Sequence, residues 1–178
     1  MNTQFSISAP SPNEYHEYYH RYVSKFKADD FLIAFAKQTE ELNAVLGGLD
    51  ADEETKLHEP YTWTLKQVLG HLIDVERVFS TRMLRIAVGD ETPIPGFDQN
   101  LYVSNMDYET VSMDSLLEEF RHLRNANVLL LERLEPEALG RVGTASDNSI
   151  TARANLFILG GHVVYHLEIM KKRLGIEA

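Results

Sequence analysis

Marking the apolar positions and the breakers between them divides the chain into four long segments with helical periodicity. No segment alternates apolar and polar residues for long enough to predict a half-buried strand. The first helix is predicted from Asp29 or Asp30 through FLIAFAKQTEELNAVL to the Gly47-Gly48 stop. The second opens on Thr64, which forms a capping-box pattern with Gln67, while Trp63 and Val68 are spaced as a hydrophobic staple; it runs to about Val88. The third fits SMDSLLEEFRHLRNANVLLLERL, with Leu116, Phe120, Leu123, Val128, Leu131 and Leu134 as its buried stripe and Pro136 beyond its end. The fourth, ITARANLFILGGHVVYHLEIMKKRL, is apolar on nearly every face, as expected of a helix surrounded by others.

The segments between them complete an architecture. GDETPIPGFDQNLYVSNMDYET holds Pro93, Pro95 and Gly96, which prevent regular helix there. Its length, above ~15 residues, is typical of a functional loop. GRVGTASDNS reads as another loop, and EYHEYYHRYVSKF as a short helix or packed tail. The expectation is therefore an all-α fold: a four-helix bundle with a long crossover loop between the second and third helices. Residues 1–178 are read as one domain, with 1–28 a tail or short helix packed on the bundle; 178 residues suit a single core.

Composition narrows the partners. Seventeen basic against 27 acidic residues give a net charge of -10, which disfavours nucleic acid and anionic membrane surfaces. Lys171, Lys172 and Arg173 sit in the last turns of the fourth helix and are read as complementing its dipole. There is no cysteine, so thiol chemistry would need an external thiol. MNTQFSISAPSPNEY lacks a basic region followed by an apolar one, and no apolar run reaches the ~18 residues of a membrane span. A cytoplasmic protein acting on a small molecule is expected, and the aromatic-rich N-terminal segment leaves room for a homodimer contact.

The seven histidines sort by spacing and setting. His162 and His166, four apart in a helix, share one face and can reach one ion, the spacing found in HExxH zinc helices. Val163 stands where those helices carry their glutamate base. Hydrogen-bonded core histidines would fit the same spacing. His71, in VLGHLIDVERVF, lies on the apolar side with Val68, Val75 and Val78 and points inward. Three histidines from two helices would leave an open coordination position for water or substrate. His16 and His20 repeat the spacing in a polar segment near the terminus and read as surface residues. His58, before Pro60, and His122, between Arg121 and Arg124, read as solvated.

Other polar residues have two readings each. Asp74 is nearly on the face of His71 and could orient a ligand or a bound water, or, like Glu76, form a helix-surface salt bridge. Asp98, Gln99 and Asn100 could approach the open side of the metal and bind substrate, or simply form a turn. Arg77 and Arg82 are expected to pair with acids.

Three stretches, WTLKQVLGHLIDVERVFSTRML, PIPGFDQN and GGHVVYHLEIMKKRLG, together resemble the DinB-like superfamily over roughly Phe31 to Leu174. That superfamily includes metal-dependent hydrolases and the bacillithiol and mycothiol S-transferases. The resemblance implies a four-helix bundle and a nickel or zinc ion held by three histidines; His71 matches the single histidine of the second helix, and His162 and His166 the HxxxH pair of the last. Iron and manganese also accept imidazole. Three functions follow. The ion activates a low-molecular-weight thiol for transfer to an electrophilic small molecule, or it supplies metal-bound hydroxide to a hydrolase, or the bundle binds metal without turnover. The missing helix glutamate and the resemblance both favour thiol transfer.

Overall fold

The computed structural model describes residues 7–27 and 30–176. Two short 3₁₀ turns lead into α1, His20–Val23. Asp30 accepts from the Ile33 amide and opens α2, Phe31–Leu46; Asp29, the other predicted start, lies outside the described residues. α3, Ala51–Thr55, is capped by Asp50. Thr64 and Gln67 form the reciprocal capping box that opens α4, Leu65–Ala87. α5 is Gln99–Asn105 and α6 is Met113–Leu131. Strands β1, Val142–Ala145, and β2, Asn148–Thr151, precede α7, Ala152–Arg173.

The fold is the expected helical one. α4 packs on α6 and α7, and α2 packs on the same two, so α2, α4, α6 and α7 close a four-helix bundle. Two apolar clusters fill it. One joins the starts of α2 and α7 to the end of α4 and the hairpin; the other joins the end of α2 to the starts of α4 and α6 and the end of α7. Between Ala154 and Val163 every residue of α7 is buried, as its apolar sequence predicts. Among the described residues no helix is long and apolar enough to cross a membrane.

The N-terminal segment packs on the bundle through α1, with Tyr15, Tyr22, Val23 and Phe26 buried. Gly160 and Gly161 make this approach feasible. A Cβ on Gly161 would stand 1.9 Å from the Tyr22 carbonyl oxygen, and one on Gly160 2.6 Å from the Phe26 ring. Of the aromatic residues in this segment, Tyr15, Tyr22 and Phe26 are buried within the chain, whereas Tyr18 is exposed.

Two loops differ from expectation. GRVGTASDNS is a β-hairpin in which Ala145 pairs with Asn148 and Ser146 and Asp147 both take positive φ, the two-residue turn whose twist suits a hairpin. Its strands are only four residues long, so alternation hardly shows, and they shorten the fourth helix to begin at Ala152. The crossover loop contains α5, which starts after the prolines because Asp98 caps the Asn100 and Leu101 amides. Ile94 bridges to the hairpin through Thr144 and Ser146, fixing the PIPGF stretch against it.

Arg82 strengthens that attachment and corrects an expectation. It is buried and pairs with no acid among the described residues; its guanidinium donates to the Pro95 carbonyl and Ser146 Oγ and lies over Phe79 and Phe97. Arg77 does pair with an acid, Glu119. Glu76, expected at the helix surface, is buried and pairs with Arg124 across to α6.

Candidate metal centre

α4 and α7 run antiparallel side by side and bring His71, His162 and His166 together. Nε2 of His162 lies 3.1 Å from Nε2 of His71 and 3.1 Å from Nε2 of His166. One ligand nitrogen from each of the three lies within 4.8 Å of the other two. The rings of His71 and His162 are buried, while His166 keeps part of its surface open. Tyr22 stands edge-on to His162 at 5.0 Å, Trp63 lies 5.0 Å from His71, and Tyr165 packs on His166 at 5.2 Å.

Electrostatics keep the cluster neutral. Burial lowers His71 to about 4 and His166 to about 3. It also lowers His162 well below the usual imidazole value, with repulsion from His166, His71 and Arg124 adding to the effect. All three therefore present lone pairs at neutral pH. An imidazole nitrogen offers either one N–H or one lone pair, so Nε2 of His162 cannot hydrogen-bond to both neighbours at once. A cation shared by the three nitrogens removes that conflict. The two 3.1 Å spacings fit one: metal–nitrogen bonds of ~2.0–2.1 Å place ligand nitrogens ~3.3 Å apart in a tetrahedron and ~2.9 Å apart at adjacent octahedral corners.

Two cavities flank the histidines along the bundle axis. The one on the His162 side has a volume of about 370 Å³ and is walled by Tyr18, Tyr19, Tyr22, Phe79 and Phe97, with Asp98, Gln99 and Ser146 at its polar edge. The one on the His166 side is about 240 Å³ and is lined by Pro60, Tyr61, Trp63, Val68, Ile169 and Arg173. Val68 and Val75 on α4 face different cavities, and His71 lies between them in sequence.

The remaining candidates divide. Asp98 caps α5, its turn-forming reading, and also lines the cavity that contains His162; Gln99 lines it too, and Asn100 is not among its walls. Asp74 does not orient a histidine. Its carboxylate accepts from Tyr108 Oη at 2.6 Å and lines a separate cavity with Arg77, Asp107 and Glu119. Gly70 permits this, since a Cβ there would meet the Tyr108 ring at 2.6 Å. Burial raises Asp74, and burial together with the Asp74 bond raises Tyr108, so the pair is a closed contact.

His16, His20 and His122 are exposed, as expected. His58 is not solvated: its Nε2 lies 2.6 Å from Glu53 and its Nδ1 3.2 Å from Arg173. Arg173 in turn donates to the Trp63 carbonyl at 2.9 Å, so it ties α7 to the loop before α4 instead of capping its own helix. The aromatic residues Tyr18, Tyr19 and Tyr22 were absent from the sequence reading of the site. Their only signal is the density of tyrosine in EYHEYYHRYV.

A helical bundle that converges three neutral imidazoles on one interior point offers a donor set that could hold a divalent metal ion. The DinB superfamily model matches residues 34–170, and the chain belongs to that superfamily. Among solved structures it is similar to YfiT from Bacillus subtilis, described as a probable metal-dependent hydrolase with an unusual four-helix bundle topology. The two share 18% identity, with a TM-score of 0.71 over 96% of this chain and 97% of that one. A search of curated proteins finds no match.

Proposed function

We propose that the protein is a metal-dependent transferase that joins a low-molecular-weight thiol to an electrophilic small molecule. The observation that carries this reading is the cluster of three neutral imidazoles with a cavity on either side, one for each of two reactants. His71, His162 and His166 would hold the ion, with nickel and zinc the leading candidates and iron or manganese also suited to imidazole. Such an ion, when bound, lowers the pKa of a thiol or water that reaches it.

The chain's own residues do the rest. Tyr18, Tyr19, Tyr22, Phe79 and Phe97 exclude water from the His162 side and offer flat apolar walls to the electrophile. Sulfur attacks the electrophilic carbon; the new S–C bond forms as the leaving group departs with its electron pair, and the thiol proton passes to solvent. With no cysteine, the protein supplies no competing thiol.

One observation favours a hydrolase as the second reading. Asp98 is the sole acid among the described residues that wall the His162 cavity and could receive a proton from water there. Incubating zinc-loaded protein with an activated aryl halide and a low-molecular-weight thiol tests the choice. The transferase predicts conjugation that His162→Ala abolishes. Ester cleavage without thiol, lost in the same variant, would replace it with the hydrolase. Zinc binding with neither activity would reduce the protein to a metal-binding module.

A further inference from the structure

The two cavities differ in charge. Among the described residues, the sole ionic one walling the His162 cavity is the acid Asp98, whereas that of the His166 cavity, apart from the histidine, is Arg173. Arg173 makes no salt bridge to an acid among the described residues. Its Nη2 donates to the Trp63 carbonyl and meets His58 Nδ1, its face lies over Tyr61 at 5.2 Å, and Nη1 makes no hydrogen bond to the described residues. The acid nearest in this chain of contacts is Glu53. It is already held by His58 and Lys56, which keep its carboxyl below the usual range.

The cavity therefore has a cationic end and a histidine end. His166, Ile169 and Arg173 are spaced i, i+3, i+7 along one face of α7, so the two ends are two turns apart, roughly 10 Å along the axis. Tyr61 and Trp63 form an apolar passage between them. Burial disfavours the Arg173 charge, and an anion at Nη1 would restore what burial removes.

We infer that the His166 cavity binds a small carboxylate, its acid group on Arg173 and its other end directed at the three histidines. Resting on the transferase reading, that other end is the thiol, and the His162 cavity is left to the electrophile. The guanidinium fork suits a carboxylate, and the volume admits a short chain rather than a large cofactor.

Trp63 is the chain's sole tryptophan and lines this cavity, so its fluorescence reports occupancy directly. Zinc, which has no redox or d-electron chemistry, is the ion for the titration. Zinc-loaded and metal-free protein are each titrated with mercaptopropionate and with its methyl ester. The expected result is that the acid binds about tenfold more tightly than the ester. Arg173→Gln should remove that preference without altering zinc affinity, and Arg173→Lys should keep part of it. Equal binding of acid and ester by the wild-type protein, which needs no variant to fold, overturns the inference. So does an unchanged preference in a folded Arg173→Gln protein. The two readings fail separately: loss of the acid preference with zinc still bound removes the carboxylate site alone. Acid preference in protein that binds no zinc removes the metal reading alone.

Discussion

α4 contributes to two buried polar sites, and the bundle treats them in opposite ways. Towards α6, Glu76 accepts from Arg124 Nη2 at 3.0 Å and from Asn127 Nδ2 at 2.7 Å. Arg124 Nη1 donates to Gln38 Oε1 at 2.7 Å and to the Phe35 carbonyl, and Gln38 reaches the Gly160 carbonyl. Charges cancel and the network spans all four long helices. Towards α7, His71 meets two more neutral imidazoles, and among the described residues no acid or other side-chain donor bonds to the three. The first site pairs its charges, leaving only Arg124 Nε without a partner among the described residues; the second acquires a consistent hydrogen-bonding state through a cation. Buried polarity by itself therefore does not mark function. What sets the histidines apart is that ligand nitrogens of three neutral imidazoles converge on one point.

Arg124→Met would leave Glu76 buried without its cation and should cost about 3–5 kcal/mol in urea unfolding. Replacing Glu76 as well with an apolar residue should recover much of that loss. A single-variant effect near zero would show that buried Glu76 does not depend on Arg124.

Acid should expose the histidine site next. In metal-free protein the unfolded histidines titrate near ~6.5, whereas folded His71 and His166 titrate at about 4 and about 3. Between these values the unfolded chain binds more protons. Stability is therefore full above the unfolded pKa and falls as pH drops from ~6.5 towards 4 and below, on the order of 3 kcal/mol for His71. Denaturation followed from pH 7 to 4 should show this slope, weakened in His71→Gln; identical slopes would contradict it.

Zinc should act on the second site alone. At free zinc a hundredfold above its Kd, stability should rise by about 2.7 kcal/mol in the wild-type protein and hardly at all in His162→Ala. Equal thermal shifts in the two would place the ion elsewhere. The packing beneath the site supplies the smallest effect. Gly161→Ala puts a methyl into the Tyr22 carbonyl and should cost about 1–3 kcal/mol by displacing α1 from His162. An unchanged melting temperature would show that α1 is not held at that contact.

Much of this was legible in the sequence because local rules govern it. The four long helices follow from periodicity and caps, and the Thr64–Gln67 box forms as written. His162 and His166 share a face by spacing alone. The hairpin was not legible, since Ser146 and Asp147 replace the Asn-Gly or Asp-Gly that usually announces such a turn. The Arg124 network was missed for a different reason. The stripe predicted for the third helix holds the buried Leu116, Phe120 and Leu131 but places Leu123 and Val128 where Arg124 and Asn127 are the buried residues between Phe120 and Leu131. That spacing of four, three and four was present in the sequence, and a cation within it matched an acid at a core position of α4. Asp74, Arg82, His58 and Arg173 depend on partners distant in sequence, which no local pattern specifies.

The central claim is tested most directly by counting metal on the protein. Calorimetric titration of chelator-treated wild-type protein and of the His71→Ala, His162→Ala, His166→Ala triple variant with zinc and with nickel gives the stoichiometry. The account predicts one ion per chain for the wild-type protein and no comparable binding by the variant. Binding by wild-type protein no tighter than by a folded triple variant would contradict it.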